Sequence, residues 1–495
     1  MKGNKWIILV AVAIPMLMVE MAGTSVFVAF QTIASDLNVS IDKSIWLTTL
    51  YLAANAMMIP LAGWLGKRFG YKRVIISSVV LFGISALLGG LARNFDTLVL
   101  TRAIQGLGDG PVMPLAYALL LEIFPANQRG KMTIGIMLAI GIAPALGPFI
   151  AAWIVEEIGW RGVFFMNVIL SLISVIAVTA LLPSVKPISE KVKVNWLVFF
   201  LLAIGTVSLQ LFLDRGQHLN WFESEFILGL FIVSVISLAL YLAVTFATKD
   251  RSVLNFRLLK NIPFLTGNIA NMLLMGLLMG AILVKVFYLE WLMGFTPAYS
   301  ANYQAILAGA MFLFSTVAGV MTDKINPRWP VIVGLPVVVY ALFLSSRLSL
   351  YSGMESILTI GVIMGVGLAF LLMPISVTVF ASISRKDMGE ASVLNSYLSV
   401  MGSSISISLV TNLLMHRIDV NAFYLASAMN LDNPAITQAV QSTNIDVAMQ
   451  AAYVQMTRQS AMFAFNDVWY LMAYILILMM LYLPFMKRAK LEQSE

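Results

Sequence analysis

Residues 98–111 read LVLTRAIQGLGDGP, and residues 141–149 read GIAPALGPF. Each stretch lies in an apolar part of the chain, yet together they hold an arginine, an aspartate and a series of glycines and prolines. Charges and helix breaks are costly in lipid, so membrane helices keep them where they line a pathway or meet other helices. The two stretches therefore predict an all-α integral membrane protein that builds a route between its helices.

The composition predicts a chain that lies mostly in the membrane. Of the 495 residues, 60% are hydrophobic and 11% are charged, and the mean hydropathy is +0.91. Such a chain has too little polar surface to enclose a soluble globule. Apolar runs of about 20 residues, the length that a spanning helix needs, recur along it. The first run is predicted to be a retained span, because it is long and lacks the cleavage site of a signal peptide.

These runs predict fourteen spans. They divide the chain into an N-terminal six-helix bundle at 1–183, a cytoplasmic linker at 184–194, two inserted helices at 195–262 and a C-terminal six-helix bundle at 263–495. This division is typical of transporters built from duplicated halves. The predicted spans cover 6–33, 45–66, 74–92, 97–122, 132–155, 162–182, 195–213, 225–247, 263–291, 300–322, 330–348, 356–382, 391–415 and 468–486.

The connection before the last span, residues 416–467, is long and rich in Asn, Gln, Ala and Ser. Within it, residues Asp446–Phe463 have helical periodicity. The segment could therefore fold as an amphipathic helix on the outer membrane face, or it could be a plain connection. Both interpretations stay open at this point.

Lysines and arginines collect on one side of the predicted topology. Under the positive-inside rule this asymmetry predicts that both termini are cytoplasmic. The net charge of +7 is therefore interpreted as loop charge that sets the topology, and not as a surface for nucleic acid.

The sequence offers little chemistry for a metal, a cofactor or catalysis. It has no cysteine, and its two histidines, His218 and His416, lie in polar connections. We find no nucleophile–base set, metal-ligand spacing or phosphate-binding loop in it. No cofactor is therefore expected, and an enzyme is the least expected class.

A basic loop follows the second predicted span, where residues 60–74 read PLAGWLGKRFGYKRV. It resembles the cytoplasmic loop signature G-x-L-x-D-R-x-G-R-K/R of the major facilitator superfamily. Lys67 stands where most members have an aspartate, and the EmrB-like branch of drug exporters tolerates such a lysine. The resemblance implies a role in conformational gating for Gly63, Lys67, Arg68, Gly70 and Arg73.

The two stretches quoted first resemble further motifs of the same superfamily. Residues 98–111 match its fourth-span motif L-x-x-x-R-x-x-Q-G-x-G-x-G, whose arginine is associated with proton coupling, and the resemblance carries that role to Arg102. Residues 141–149 resemble the fifth-span antiporter motif G-x-x-x-G-P-x-x-G-G. This second resemblance implies gating roles for Gly141, Pro144, Gly147 and Pro148.

Two more stretches are similar to EmrB-like 14-span exporters, LFLDRGQHLNWFES at 211–224 and MGEASVLNSYLSVMGSSISIS at 388–408. With them the resemblance covers nearly the whole chain. It implies the major facilitator fold and proton-coupled efflux of amphipathic compounds by alternating access across the bacterial cytoplasmic (inner) membrane. It also implies a periplasmic adaptor protein and an outer-membrane channel as partners.

Acidic residues occur in the predicted first and fourth spans. Arg102, Gln105 and Asp109 follow at i, i+3 and i+7, so they share one face of the fourth span, with Asp109 near the bilayer middle. Family members usually have a small residue there. Glu20 lies at a similar depth in the first span, but the family's usual aspartate aligns with Ala22. Glu20 can replace it only if the helix is rotated or locally unwound.

Glu20 and Asp109, together with Arg102, are predicted to couple transport to protons. Two carboxylates in one cavity of low dielectric constant cannot both stay charged without a large cost, so one of them would hold a proton. The alternative is that each carboxylate is neutralised by Arg102 or held by backbone groups.

Lys285 in the ninth span has two interpretations. It could snorkel to the outer surface, which the sequence favours, or line the cavity with Glu290, although a five-residue spacing puts those two on different helix faces. Methionines in the same span suit a pliable apolar pocket, but most of the chain's 30 methionines are expected to pack or to face lipid. The residues predicted to contact substrate are Thr24, Gln31, Tyr51, Asn55, Gln105, Asn268, Asn271, Met275, Lys285 and Asn395.

Proton-coupled efflux is the function that these residues favour. A transporter of one defined metabolite, siderophore or lipid is the second hypothesis, because Asp109 and the displaced acidic residue depart from the family pattern. A non-transporting receptor or assembly subunit is the third. It is disfavoured because such a protein has no need to bury charges in the membrane.

Overall fold

The computed structural model describes residues 5–124, 129–182, 194–216, 219–248, 253–384, 387–427 and 445–481. Several side chains between residues 129 and 145 lie outside this description as well, among them those at the predicted gating positions Gly141 and Pro144.

The described residues form α-helices joined by short turns, with no β-strand among them. Long apolar segments favour the helix in lipid, because a helix makes its backbone hydrogen bonds within one segment. A 3₁₀ turn, Val26–Ala29, joins the first two helices, and a π-helical turn, Phe287–Leu292, follows the twelfth. The helices are α1 Lys5–Ser25, α2 Phe30–Asp36, α3 Ile41–Ser44, α4 Trp46–Phe69, α5 Tyr71–Gly90, α6 Phe95–Asp109, α7 Val112–Ile123, α8 Arg129–Ile158, α9 Arg161–Leu181, α10 Trp196–Arg215, α11 Glu225–Thr248, α12 Ile262–Val286, α13 Pro297–Lys324, α14 Arg328–Ser345, α15 Met354–Phe380, α16 Met388–Ala426 and α17 Ile445–Leu478.

Twelve helices of the described part are long and apolar enough to cross a membrane, so the predicted class of α-helical membrane protein is confirmed. The predicted fourth span, 97–122, is not one continuous helix. It consists of α6 and α7, with Gly110 and Pro111 between them. Pro111 has no N–H to donate, so the ladder of helical hydrogen bonds is interrupted there. The total of fourteen spans stays a prediction.

The helices pack as two halves with an added pair. Helices α1 and α4–α9 pack with one another, as do α12–α17, and the two groups meet where α8 packs on α13 and where α16 packs on α4 and α7. The inserted helices α10 and α11 pack together, and α10 lies against both α4 and α16. An apolar cluster that includes Phe199, Tyr241 and Leu394 joins them. The inserted pair therefore covers one seam between the halves.

The outer segment 416–467 matches neither interpretation drawn from the sequence. Helix α16 has 39 residues and α17 has 34, so both are far longer than the roughly 20 residues that cross a bilayer. Their extensions make up the described parts of this segment, and a salt bridge of 3.5 Å between Arg417 and Asp467 joins them. The periodic stretch Asp446–Phe463 is helical, but it is the beginning of α17 and not a separate helix on the membrane face. Residues 428–444 lie outside the described part.

Candidate functional site

A cavity lies between the two halves. Helices α1, α4, α6 and α7 line it on one side, and α12, α15 and α16 line it on the other. Most of its wall is apolar, which suits a ligand with a large hydrophobic surface. The residues predicted to act in coupling or substrate contact that line it are Glu20, Tyr51, Asn55, Asp109, Asn271, Met275 and Asn395.

Asp109 is the acidic group held most firmly in this cavity. It is the last residue of α6, next to the helix break, and it is 5% exposed. The hydroxyl of Tyr51 donates to its Oδ2 atom at 2.5 Å, and the side-chain amide of Asn55 donates to the same oxygen. Helix α4 thus presents two donors, one turn apart, to a carboxylate at the end of α6. Charge-assisted hydrogen bonds of this kind stabilise an ionised carboxylate.

Arg102 lies behind this arrangement and not in the cavity. It is 1% exposed, and its guanidinium carbon lies 4.0 Å from the centre of the Tyr51 ring. It donates to the Oε1 atom of Gln105 at 2.8 Å and to the carbonyl oxygen of Leu47 at 3.2 Å. The described residues show no salt bridge between Arg102 and Asp109. Tyr51 is therefore the physical link between them, since its ring contacts the cation and its hydroxyl contacts the carboxylate.

Glu20 is half-buried and lines the same cavity as Asp109. The Tyr51 hydroxyl that donates to Asp109 also lies 3.4 Å from the carbonyl oxygen of Val19, the residue before Glu20. Ala22, which aligns with the family's aspartate, is fully buried instead. Helix α1 is regular through Glu20 and first departs from α geometry at Val26. Glu20 thus reaches the cavity from a regular helix, without local unwinding.

The C-terminal half contributes polar side chains from α12 and α16. The amide of Asn271 donates to the Oδ1 atom of Asn395 at 3.2 Å and to the hydroxyl of Ser399 at 2.7 Å. Met275 and Met279 follow Asn271 on the same side of α12 and also line the cavity. This wall can therefore offer both hydrogen-bonding groups and pliable apolar contact to a ligand.

Sequence comparison decides the family. The profile of the Major Facilitator Superfamily matches residues 12–411. The chain belongs to the major facilitator superfamily. The resemblance found in the sequence motifs is thereby confirmed.

Individual members of the superfamily match this chain over nearly its whole length. The multidrug export protein EmrB of Haemophilus influenzae is 28% identical over 481 residues, which are 95% of this chain and 94% of that protein. The probable multidrug resistance protein EmrY of Escherichia coli is 27% identical over 495 residues, 98% of this chain and 96% of that protein. The crystal structure of the human organic anion transporter MFSD10 aligns with a TM-score of 0.59 at 12% identity, over 96% of this chain and all of that one. This last likeness shows the fold alone.

The superfamily's loop signature lies at the contact between the halves. Lys67, at the end of α4, forms a salt bridge of 3.1 Å with Glu390 in the first turn of α16. Glu390 also accepts a hydrogen bond of 2.7 Å from the side-chain amide of Asn255. Sequence reasoning identified Lys67 as a departure from the motif but did not find Glu390, which lies 323 positions away. The only signal for it was an acidic residue at the start of an apolar helix.

Other residues of the gating motifs have distinct structural roles. Gly70 separates α4 from α5 with a φ of +87°, a conformation that residues with a Cβ rarely adopt. Arg68 lies 5.4 Å from the ring centre of Trp64, and Arg73 is exposed. A Cβ at Gly147 would come within 2.6 Å of the carbonyl oxygen of Met21, so this glycine lets α8 approach α1 closely. Pro148 beside it is buried.

Five residues predicted to contact substrate do not line the cavity, namely Thr24, Gln31, Gln105, Asn268 and Lys285. Thr24 and Asn268 are buried and donate to carbonyl oxygens of their own helices, at 3.3 and 2.8 Å. Gln105 lies behind the cavity wall and accepts the hydrogen bond of the buried arginine on its own helix. Gln31 is exposed on α2. Helical spacing placed these residues near the helix face that lines the cavity. It could not show which of them neighbouring helices would cover.

Both interpretations of Lys285 are wrong. Its side chain neither snorkels outward nor lines the cavity, since it is 2% exposed inside the C-terminal half. Its ammonium lies 4.3 Å from the ring centre of Trp469 and 5.4 Å from that of Tyr303, and it donates to the hydroxyl of Ser345 at 3.3 Å. Aromatic faces stabilise a desolvated cation in this way. These rings come from α13 and α17, so the sequence of α12 alone could not reveal them.

Asp214 lies in the stretch 211–224, which resembles EmrB-like exporters, but the sequence analysis predicted no role for it. Its carboxylate accepts hydrogen bonds from the hydroxyls of Thr49 on α4 and Ser408 on α16. On the same helix end, the carbonyl oxygen of Leu213 accepts a hydrogen bond of 2.6 Å from the amide of Asn412. The inserted helix α10 therefore binds to both halves of the molecule at this end.

Proposed function

We propose that this protein exports amphipathic or hydrophobic small molecules in exchange for protons. The observation that carries this proposal is the placing of Glu20 and Asp109 in one apolar cavity between the two halves. A carboxylate that is charged in one state and protonated in another can couple a proton to the binding and release of a ligand. Protonation from the outer side would neutralise Asp109 and favour the release of substrate outward.

The environment of Asp109 supports its role as the exchanging group. Two donors from α4 stabilise the ionised carboxylate, while burial in a low-dielectric wall favours the protonated one. The balance between these opposing effects depends on the positions of α4 and α6. A movement of these helices during alternating access would therefore change how tightly Asp109 holds its proton.

The cavity also supports a substrate of mixed character. Met275, Met279 and Phe380 supply apolar surface, and Asn271 and Asn395 supply hydrogen-bonding groups. Few polar groups in a large apolar wall favour ligands that differ in shape but share hydrophobicity. The names of EmrB and EmrY as multidrug proteins agree with such a substrate class. A transporter of one defined metabolite would be expected to satisfy more polar groups in its site.

The membrane and the partners belong to the same proposal. The bacterial relatives support a bacterial cytoplasmic membrane, and the distribution of lysine and arginine supports a cytoplasmic position for both termini. The long extensions of α16 and α17 lie at the end of the molecule that this topology places outside. We propose a periplasmic adaptor protein and an outer-membrane channel as partners on that side, as the likeness to EmrB implies.

Proton-driven transport in proteoliposomes tests the function. The purified protein is reconstituted, a proton gradient is imposed, and uptake of fluorescent amphipathic cations and anions is followed. We expect gradient-dependent uptake of at least one class and a loss of at least tenfold in Asp109→Asn. Gly229→Ala is a matched control, because a Cβ at Gly229 meets no atom within 4 Å. Absence of gradient-dependent uptake of every compound would reject the exporter and favour a receptor or assembly subunit.

A further inference from the structure

A second buried carboxylate lies in the C-terminal half, outside the transport cavity. Glu290 is 8% exposed, and its Oε1 atom has no hydrogen-bond partner in the described part of the chain. It belongs to the π-helical turn Phe287–Leu292. Such turns are uncommon and occur often at functional sites, because they displace side chains from regular helical positions.

Polar groups of α13 lie beside this carboxylate. The hydroxyl of Ser300 faces Glu290, and Gln304 follows one turn later on the same face of α13. Both side chains are fully buried. The Ser300 hydroxyl and both polar atoms of the Gln304 amide lack partners at hydrogen-bonding geometry among the described residues. Unsatisfied buried groups of this kind are rare in folded proteins and point to a function or a bound species.

No cation among the described residues neutralises Glu290. Lys285 precedes it by five residues, but its ammonium is directed into the aromatic rings around Trp469. Asp467 on α17 is already paired with Arg417, and the described salt bridges do not include Glu290. The charged and titratable residues of α12, the turn, the start of α13 and α17 are Lys285, Tyr288, Tyr299, Tyr303, Asp446, Tyr453, Arg458, Asp467, Tyr470 and Tyr474.

We infer that Glu290, with Ser300 and Gln304, forms a second proton-binding site in the C-terminal half. An ionised carboxylate with one buried, unpartnered oxygen and no neutralising cation is unfavourable, and uptake of a proton removes its charge. The protonated acid can then donate a hydrogen bond to the hydroxyl oxygen of Ser300, and this hydroxyl can donate to the amide oxygen of Gln304 one turn further along α13. This inference extends the proposed function, because it adds a proton site separate from Glu20 and Asp109.

This site lies next to the contact between the two halves. The backbone N–H of Ala298, two residues before Ser300, donates to the Oε1 atom of Glu156 on α8 at 3.1 Å. Ala301, next to Ser300, packs with Val28 and Ala152 of the N-terminal half. Glu290 and Ser300 therefore lie beside the start of α13, where the two halves touch.

Infrared difference spectroscopy on the purified protein tests the site without requiring transport. Spectra at neutral and alkaline pH are compared in the background Glu20→Gln/Asp109→Asn, in which the cavity carboxylates no longer titrate. Exposed carboxyl groups are ionised at both pH values, so they give no protonated-acid band. We expect one remaining protonated-carboxyl band, which disappears in Glu290→Gln and shifts in frequency in Ser300→Ala.

The controls separate this site from its alternatives. Glu157→Gln, which removes an exposed carboxylate on α8, is expected to leave the band unchanged. If Glu290→Gln does not fold, the Ser300→Ala shift alone decides, and an unshifted band then overturns the inference. A protonated-carboxyl band that persists in folded Glu290→Gln also overturns the inference. So does a band that disappears when sodium ions are added at constant pH. Absence of antiport by the parent protein in liposomes, with the Glu290 band still present, would reject the proposed function but leave this site standing.

Discussion

The hydroxyl of Tyr51 donates a hydrogen bond of 2.5 Å to Asp109, and the guanidinium carbon of Arg102 lies 4.0 Å from the centre of the Tyr51 ring. One side chain therefore connects the superfamily's fourth-span arginine to the carboxylate in the cavity. No ion pair between Arg102 and Asp109 is found among the described residues, so the Tyr51 side chain is the contact that they share.

Tyr51→Phe is predicted to alter the pH dependence of transport. The substitution keeps the ring over Arg102 but removes the donor to Asp109. A hydrogen bond to a charged group contributes about 1.5–3 kcal/mol, so loss of this donor changes the balance between the ionised and the protonated acid. The pH at which transport is half-maximal is therefore expected to differ from that of the parent protein. The measurement is the pH profile of transport in proteoliposomes.

Tyr117→Phe provides the matched control for this profile. Tyr117 also lines the cavity, but the hydrogen bonds of Asp109 come from Tyr51 and Asn55. Its profile is expected to coincide with that of the parent protein. Superimposable profiles for Tyr51→Phe and the parent would show that the Tyr51 hydroxyl does not hold the carboxylate during transport.

Lys67 and Glu390 are predicted to depend on each other's charge. Lys67→Glu and Glu390→Lys each place like charges across the contact between the halves and are expected to slow transport several-fold. The double exchange restores the attraction and is expected to recover most of the rate. Because both side chains are partly exposed, the coupling should be about 0.2–1 kcal/mol. Additive effects in the double variant would argue against a functional ion pair.

Much of the fold follows from the sequence because lipid imposes simple rules. Spans need about 20 apolar residues, and the predicted and observed helix ends agree closely at most spans. The cavity residues Tyr51, Asn55 and Asp109 could be found because helical spacing fixes which residues share a face. The break between α6 and α7 could not be located, since glycine and proline also occur within unbroken helices of this chain, such as Pro374 in α15.

The remaining errors concern contacts between distant parts of the chain. Burial of Lys285 depends on Trp469, which is far away in sequence and on another helix. The salt bridge between Lys67 and Glu390 and the hydrogen bonds of Asp214 likewise depend on packing between helices. Periodicity within one helix contains no information on these contacts, so they became visible only in the structure.

Lys285→Met is predicted to preserve or increase stability. Methionine keeps the length and apolar stem of the side chain and removes a buried charge. Replacement of buried charges by apolar groups of similar volume is often neutral or stabilising by about 1–4 kcal/mol. Thermal unfolding in detergent measures the effect. Lys285→Glu should unfold at a markedly lower temperature, because it turns a negative charge toward the aromatic faces. A large loss of stability in Lys285→Met would mean that the cation itself holds these helices together.

Gly110→Ala is predicted to disturb the junction of α6 and α7. A Cβ there would lie 2.7 Å from the carbonyl oxygen of Asn55, so α4 would have to move away from Asp109. Overpacking of this kind costs about 1–3 kcal/mol, and both the melting temperature and transport should fall. Gly309→Ala, whose Cβ would meet no atom within 4 Å, should change neither. Equal behaviour of the two variants would contradict the close approach.

The proposed function requires the carboxylates in the cavity to couple proton movement to substrate movement. The most direct measurement compares two activities of Asp109→Asn and Glu20→Gln in the same proteoliposomes. One is the exchange of labelled for unlabelled substrate without a gradient, and the other is substrate-driven proton movement reported by an internal pH dye. We expect substrate exchange to persist in both variants and proton movement to be lost in at least one of them. Proton movement at the parent rate in both variants would contradict the proposed coupling by Glu20 and Asp109.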